Sequence, residues 1–237
     1  MLVIGGSRGT GLLAVKQLRQ RGEGVRVLAR DPGRTAARLG TTVEVAPGDI
    51  TKAHTLPPAI AGASHIVFTA GVRSGRPARS SRVKETEYTG VLNTLRAAQE
   101  VGFAGRFAYL TSSGVTTKSL FAAALNLYKG NTLRWRKEAE EEVRRSGLDY
   151  TIVRAGVLLN REGGRRAMTI TQEALPLSIR FHVARADVAE VLVAVLQHPC
   201  AERATLDVVW GRGPRRETVP DLLDALCPGS PSRTPAR

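Results

Sequence analysis

Aromatic residues make up only 5% of this 237-residue chain, which has just two cysteines and four histidines. Each scarcity removes a class of function. Without interleaved aromatics there is no RNA-binding signature of the stacking type. Cys200 and Cys227 form neither a metal-ligand spacing nor a disulfide framework. The histidines add no metal spacing, and His54, His65 and His198 read as surface or loop residues, so no metal is expected. No apolar run approaches the ~20 residues a membrane-spanning helix requires. The first residues already read as strand, with no charged leader and no cleavage pattern. No targeting segment is therefore expected, and the cytoplasm is the simplest compartment. Acidic residues are also short, 21 against 35 basic, for a formal net charge of +14. Such a balance suits a polyanionic partner. The basic residues are mostly Arg scattered over nearly every segment, without a helix-turn-helix pattern, so no dedicated nucleic-acid role is expected. The densest cluster, RSGRPARSSRVK at 73–84, carries no acid.

What is present is a regular alternation. Strand patterns occur at 2–4, 25–29, 42–46, 65–70, 106–112 and 148–154. Helical patterns lie between them: 10–21, from Asp31-Pro32-Gly33 to about Leu39, near 54–61, 83–101 and 132–146. This order predicts a parallel sheet covered on both faces by crossover helices. Beyond residue 155 the rhythm loosens into an extended RRAMTITQE, a helix in ADVAEVLVAVLQHP with Asp187 near its start, and a strand in ATLDVVW. No repeat or linker divides the chain. One domain is expected over 1–227, with a substrate region at about 157–227 and a disordered tail, PGSPSRTPAR, at 228–237.

The opening MLVIGGSRGTG places Gly5, Gly6, Gly9 and Gly11 directly behind the first strand and ahead of a helix. A phosphate pair binds a helix N-terminus through unpaired backbone N–H groups and the helix dipole, and the backbone must come close, so side chains must be absent. Gly9-x-Gly11-x-x-Ala14 fits the common dinucleotide fingerprint but starts too far beyond the strand. Gly5-x-x-x-Gly9-x-Gly11 puts its first glycine where the strand ends, and is the better register.

In this segment the chain resembles the short-chain dehydrogenase/reductases. GGSRGTG is similar to their TGxxxGxG loop, with Ile4 where Thr is common. VRVLARDPGR, GDIT, VFTAG, YLTSSGV, SGLDYTIVRAG and ARADVAEVLV extend the likeness over about residues 1–210, toward the atypical, NmrA-like and NAD(P)H-binding branch. The resemblance implies a Rossmann-type doubly wound parallel sheet with a small irregular C-terminal substrate region. It also implies an NAD(P)-dependent oxidoreductase, whose loop residues Gly5, Ser7, Arg8, Gly9, Thr10 and Gly11 hold the cofactor.

Where an NAD enzyme places Asp or Glu for the ribose hydroxyls, this chain has Arg30. A guanidinium there pairs with a 2′-phosphate, and Arg8 and Arg34 reach the same group, so NADP(H) is expected over NAD(H). Asp31, one residue on, is the competing ribose acceptor. Asp49-Ile50 resemble the family's adenine-binding pair, Asp49 alternatively capping the next helix. Ala70 and Gly71 leave room for the nicotinamide half.

The family's catalytic Tyr and Lys lie four apart on one helix face. Alignment puts Thr132 and Arg136 at those positions, so the YxxxK pair is missing. Arg136 remains fit to bind a ribose but not to shuttle protons, and Lys137 points about 100° away. Ser112 or Ser113 survives at the end of the fifth strand, and Tyr128 and Tyr88 are the candidate substitute acids, each with a packing alternative. SLFAAALNLY at 119–128 fits a cover for an apolar substrate or for a partner subunit in a homodimer. The 157–183 segment completes the pocket, and the basic 73–84 loop lies at the sheet edge where α/β ligands bind. Three functions fit: a reductase of a small carbonyl or conjugated substrate, a nucleotide-sensing regulatory binder, and a Rossmann-derived enzyme of non-redox chemistry. The retained serines and the apolar cover favour the first.

Overall fold

Side chains on successive strand residues face opposite sides, so a strand buried on both faces must be largely apolar. β1 (Leu2–Ile4) and β4 (Ile66–Phe68) are apolar throughout, and β2 (Arg26–Ala29), β5 (Arg106–Ser112) and β6 (Asp149–Ala155) over most of their length, though β5 and β6 also bury Arg106 and Arg154. In a computed structural model, which describes residues 1–72, 78–117 and 119–227, they form the centre of one sheet. Val3, Val27, Ala108 and Val153 face one core; Leu2, Ile4, Phe107 and Ile152 face the other. β3 (Glu44–Pro47), β8 (Arg166–Thr171) and β10 (Ala204–Pro214) complete it in the order β3-β2-β1-β4-β5-β6-β10-β8. All neighbours are parallel except β8, which runs antiparallel to β10 at the edge. The fold is therefore the expected doubly wound α/β sheet, with its strand order reversing between β1 and β4.

The crossover helices follow the sequence pattern closely. They are α1 (Gly9–Gln20), α2 (Pro32–Leu39), α3 (Pro57–Ile60), α4 (Ser80–Lys84), α5 (Gly90–Glu100), α6 (Leu120–Tyr128), α7 (Thr132–Arg145) and α8 (Arg185–Ala194). The helix expected at 83–101 is interrupted: α4 and α5 are joined by a π-helical turn at Glu85–Thr89. Such turns are rare and concentrate at functional sites. Two short strands, β7 (Val157–Leu159) and β9 (His182–Ala184), pair in parallel as a separate ribbon that the sequence did not suggest. Nor did it suggest α9 (Val219–Asp224), which Thr218 and Asp221 start with a reciprocal capping box.

The cysteine reading is corrected. Cys200 and Cys227, expected to make no disulfide framework, are joined in a disulfide with Cα atoms 5.0 Å apart. His198 is also not a free surface residue. Its Nδ1 accepts from the Cys200 backbone N–H, and its Nε2 lies 3.3 Å from Asp224. His198, Cys200 and Asp224 thus gather as possible metal ligands, but the disulfide occupies the sulfur. The expected tail at 228–237 and residues 73–77 of the basic loop lie outside the described residues.

Candidate active site

The turn from β1 into α1 is shaped by what cannot be there. Gly5 and Gly9 hold positive φ angles of 87° and 56°. A Cβ on Gly11 would fall 2.4 Å from the Gly5 carbonyl oxygen, and one on Gly5 2.8 Å from the Ala70 backbone nitrogen. No side chain fits at Gly5 or Gly11, so the loop backbone closes onto the end of β4. α1 then begins uncapped: Arg8 occupies the N-cap without a side-chain bond, and the first turn has no acid. Its unpaired N–H groups and positive dipole end are left for an external anion. Arg8 is exposed, Ser7 half-buried and Thr10 buried.

At the end of β2, Arg30 and Arg34 are exposed. Asp31 instead caps α2, its Oδ1 accepting from the Arg34 backbone N–H at 3.0 Å. Asp49 is similarly occupied, its Oδ1 accepting from both the Thr51 N–H and the Thr51 hydroxyl at 3.0 Å. Ile50 is packed under α5, where a Cβ on Gly90 would lie 2.7 Å from its Cδ1.

Beyond the loop, a cleft of about 290 Å³ opens at the C-terminal ends of β5 and β6. Its apolar wall includes Leu125, Leu133, Val157, Leu158 and Leu177; its polar groups include Ser112, Glu87, Lys129, Thr132, Arg136 and Arg185. Glu87, on the π-helical turn and only 3% exposed, organises this floor. Arg136 holds it in a fork, Nε donating to Oε2 at 3.1 Å and Nη2 to Oε1 at 3.2 Å. The Thr132 hydroxyl donates to Oε2, and the Val72 N–H to Oε1 at 3.1 Å. Burial alone would raise the Glu87 pKa, but the Arg136 charge and these bonds hold it below the usual carboxylate value. Burial opposes the Arg136 charge as well, yet Glu87 holds the guanidinium above its ordinary range. Gly71 accommodates this pair: a Cβ there would lie 3.1 Å from Arg136 Nη2.

The structure thus brings Thr132 and Arg136 together, not with a substrate-facing acid between them but on a shared carboxylate. Ser112 lines the cleft and donates its hydroxyl to the Ser113 carbonyl at 3.1 Å. Ser113 does not share it. It is fully buried in the turn that follows β5, with its hydroxyl facing Asp207 on β10. Tyr128 is 50% exposed and absent from the cleft wall, and Tyr88 packs against Trp135 with ring centroids 6.2 Å apart. Lys137 is exposed.

Three residues of the site escaped the sequence reading. Glu87 and Lys129 carried no motif. Arg185 had a readable signal, a cation opening a helix against the dipole. Its Nη1 donates to Thr10 Oγ1 at 3.4 Å and its Nε to Asn160 Oδ1 at 2.9 Å. Burial pushes its pKa down, and among the described residues no carboxylate pairs with it.

Comparison with known proteins agrees with this geometry. Residues 5–199 match the model of a family described as NAD(P)H-binding. Sanguinarine reductase from Eschscholzia californica is 30% identical, with 83% of this chain and 84% of that protein covered. An NAD-dependent epimerase/dehydratase-type protein from Bacillus halodurans superposes with a TM-score of 0.77 at 22% identity, covering 94% of this chain and 97% of that one. An anaerobilin reductase from Escherichia coli O157:H7 gives 0.71 at 22% identity, covering 88% and 95%. The two structures speak for the fold.

Proposed function

We propose that this chain, which belongs to the NAD(P)H-binding family and is an oxidoreductase of that family, takes NADPH and reduces a small carbonyl or conjugated substrate held in the cleft. The observation that carries the cofactor preference is the division of labour at the end of β2. Asp31, itself exposed, engages its Oδ1 in the cap of α2, while Arg8 and Arg30 stand exposed beside the glycine loop with no such bond. The α1 amides and Arg185 would hold the diphosphate. Arg8, Arg30 and Arg34 would hold the 2′-phosphate; Asp49 would lie toward the adenine and Ala70 and Gly71 toward the nicotinamide. The close-set loop backbone that Gly5 and Gly11 permit, with the uncapped start of α1, fits such a group.

When bound, NADPH supplies a hydride to an electrophilic carbon. The matching proton comes from solvent as the product leaves, and the chain's own residues bind and orient. Ser112 turns its hydroxyl from the Ser113 carbonyl to the substrate oxygen. Arg136, locked by Glu87, orients and does not shuttle protons, since a guanidinium stays charged. Thr132 completes that brace. The leucine and valine walls keep water from the reacting atoms, which strengthens every polar contact inside.

Titration of the protein with both nucleotides tests the cofactor assignment. Each charge-assisted contact to the 2′-phosphate contributes about 1.5–3 kcal/mol, so NADPH should bind at least about tenfold tighter than NADH. Arg30→Glu should abolish the preference. Equal affinities in the unaltered protein would return Arg30 to the surface. Following NADPH absorbance with quinones, flavins, enones and ketones tests the reaction, with Ser112→Ala expected to slow turnover and Ser113→Ala, outside the cleft, expected not to act through the substrate.

A further inference from the structure

The charges lining the cleft do not balance. Lys129, Arg136 and Arg185 stand against Glu87 alone. Glu87 is engaged by Arg136 through both carboxylate oxygens, and Arg185 is drawn to Thr10 on the phosphate loop. That leaves Lys129, and among the described residues no carboxylate forms an ion pair with it.

The backbone that presents Lys129 is built for the purpose. α6 ends at Tyr128, and the chain turns back through two successive left-handed residues, Gly130 at φ 58° and Asn131 at φ 62°. Asparagine tolerates that region but does not seek it, and such conformations persist where surrounding contacts enforce them. Here the Lys129 N–H donates to Leu125 O and the Asn131 N–H to Asn126 O, each at 2.8 Å. The Asn126 side chain takes the Leu133 N–H at 2.9 Å. A Cβ on Gly130 would lie 2.6 Å from the Ala78 carbonyl oxygen. These bonds and the close approach of Ala78 fix the turn, and it places the half-buried Lys129 in a cleft whose apolar wall includes leucine and valine side chains.

We propose that Lys129 is the recognition group for a carboxylate borne by an apolar, conjugated substrate. This rests on the reductase reading of the same cleft. The walls select the apolar body, and the lysine selects the charge. Burial and the neighbouring Arg136 charge both lower the Lys129 pKa, a cost an arriving anion offsets. Inorganic phosphate would satisfy the lysine but leave the apolar wall wet.

The test uses the full chain saturated with NADP+, and calorimetric titration with naphthylacrylate and its uncharged twin, naphthylacrylamide. The carboxylate should bind about tenfold tighter or more, as a charge-assisted bond in a partly dry site allows. Lys129→Met should erase the difference and Lys129→Arg should retain most of it, with thermal melting confirming that each variant is folded. Raised salt should weaken the carboxylate alone. Equal binding of the two compounds, binding of neither, or a preference that survives in Lys129→Met would each overturn the proposal. If the carboxylate binds through Lys129 while no acceptor oxidises NADPH, the reductase reading fails and the recognition site stands.

Discussion

Two buried Glu–Arg clusters follow one another along one face of α7, where Arg136 and Glu140 are four residues apart, built from the same chemistry for different ends. In the first, Glu87 and Arg136 brace the cleft, and the arginine side chain keeps 21% of its surface exposed. In the second, Glu140 is wholly enclosed between Arg154 at 2.6 Å and Arg144 at 3.0 Å, with Asp207 3.7 Å from Arg154 beyond it. That cluster ties α7 to β6 and β10, and only Arg144, with 34% of its side chain exposed, reaches the surface. Burial and perturbed charge alone would mark both as functional. What separates them is an opening: only the first lines a cavity that also holds unbalanced cations and a strand-end hydroxyl.

The contrast can be broken at three points. The largest effect should come from Glu140→Ala. Removing the shared carboxylate leaves buried Arg154 with only Asp207, 3.7 Å away, as an acidic partner, and loss of one partner of a buried pair costs about 3–5 kcal/mol. Urea unfolding measures it, and a loss below about 1 kcal/mol would mean that water reaches the cluster.

The next effect concerns pH. Burial pushes Asp207 up to about 6, against the pull of Ser113 and Arg154. Its folded value thus exceeds its unfolded one, so the folded protein holds more protons between the two. The stability it contributes is fully present below the unfolded value and is lost as pH rises through about 6. The swing is at most about 3 kcal/mol. Stability curves from pH 4 to pH 7 should show the fall in the unaltered protein and flatten in Asp207→Asn; parallel curves would exclude Asp207 as the source. Glu87 carries the opposite sign. Its lowered pKa gives stability that is present above its unfolded value and lost as pH falls through the folded one.

The smallest expected effect separates bracing from packing. Glu87→Gln keeps the shape but releases Arg136, and should lower kcat by about tenfold, equivalent to about 1.4 kcal/mol, while leaving nucleotide affinity nearly intact. Glu87→Asp should restore part of the rate. A Gln variant that melts early yet turns over normally would make Glu87 a packing residue.

How much of this was legible depended on how local the physics was. The central strands announce themselves because each must be largely apolar on both faces, and the glycine loop because a missing side chain is visible in the sequence. Arg30 and Asp31 were both legible, but that Asp31 caps α2 shows only in a bond three residues on. β7 and β9 are three residues each and too short for any period to show. Thr218 and Asp221 do spell a helix start, a signal within reach that went unread. Glu87 was not within reach. In ETEYT it looks like one more solvated helix acid, and its burial depends on a π-helical turn and on an arginine 49 residues away. Ser112 and Ser113 were distinguishable only once the end of β5 and the turn after it were known.

The bond between Cys200 and Cys227 has a mechanical meaning for β10, the strand between β6 and the edge strand β8. It closes a span with a sequence separation of 27, and β10 and α9 both lie inside it. Ring closure of that size removes freedom from the unfolded chain worth about 3–4 kcal/mol in the loop-entropy model. The last parallel pairing of the sheet, β6 with β10, therefore lies within a covalent clasp, and reduction would loosen it by about that much.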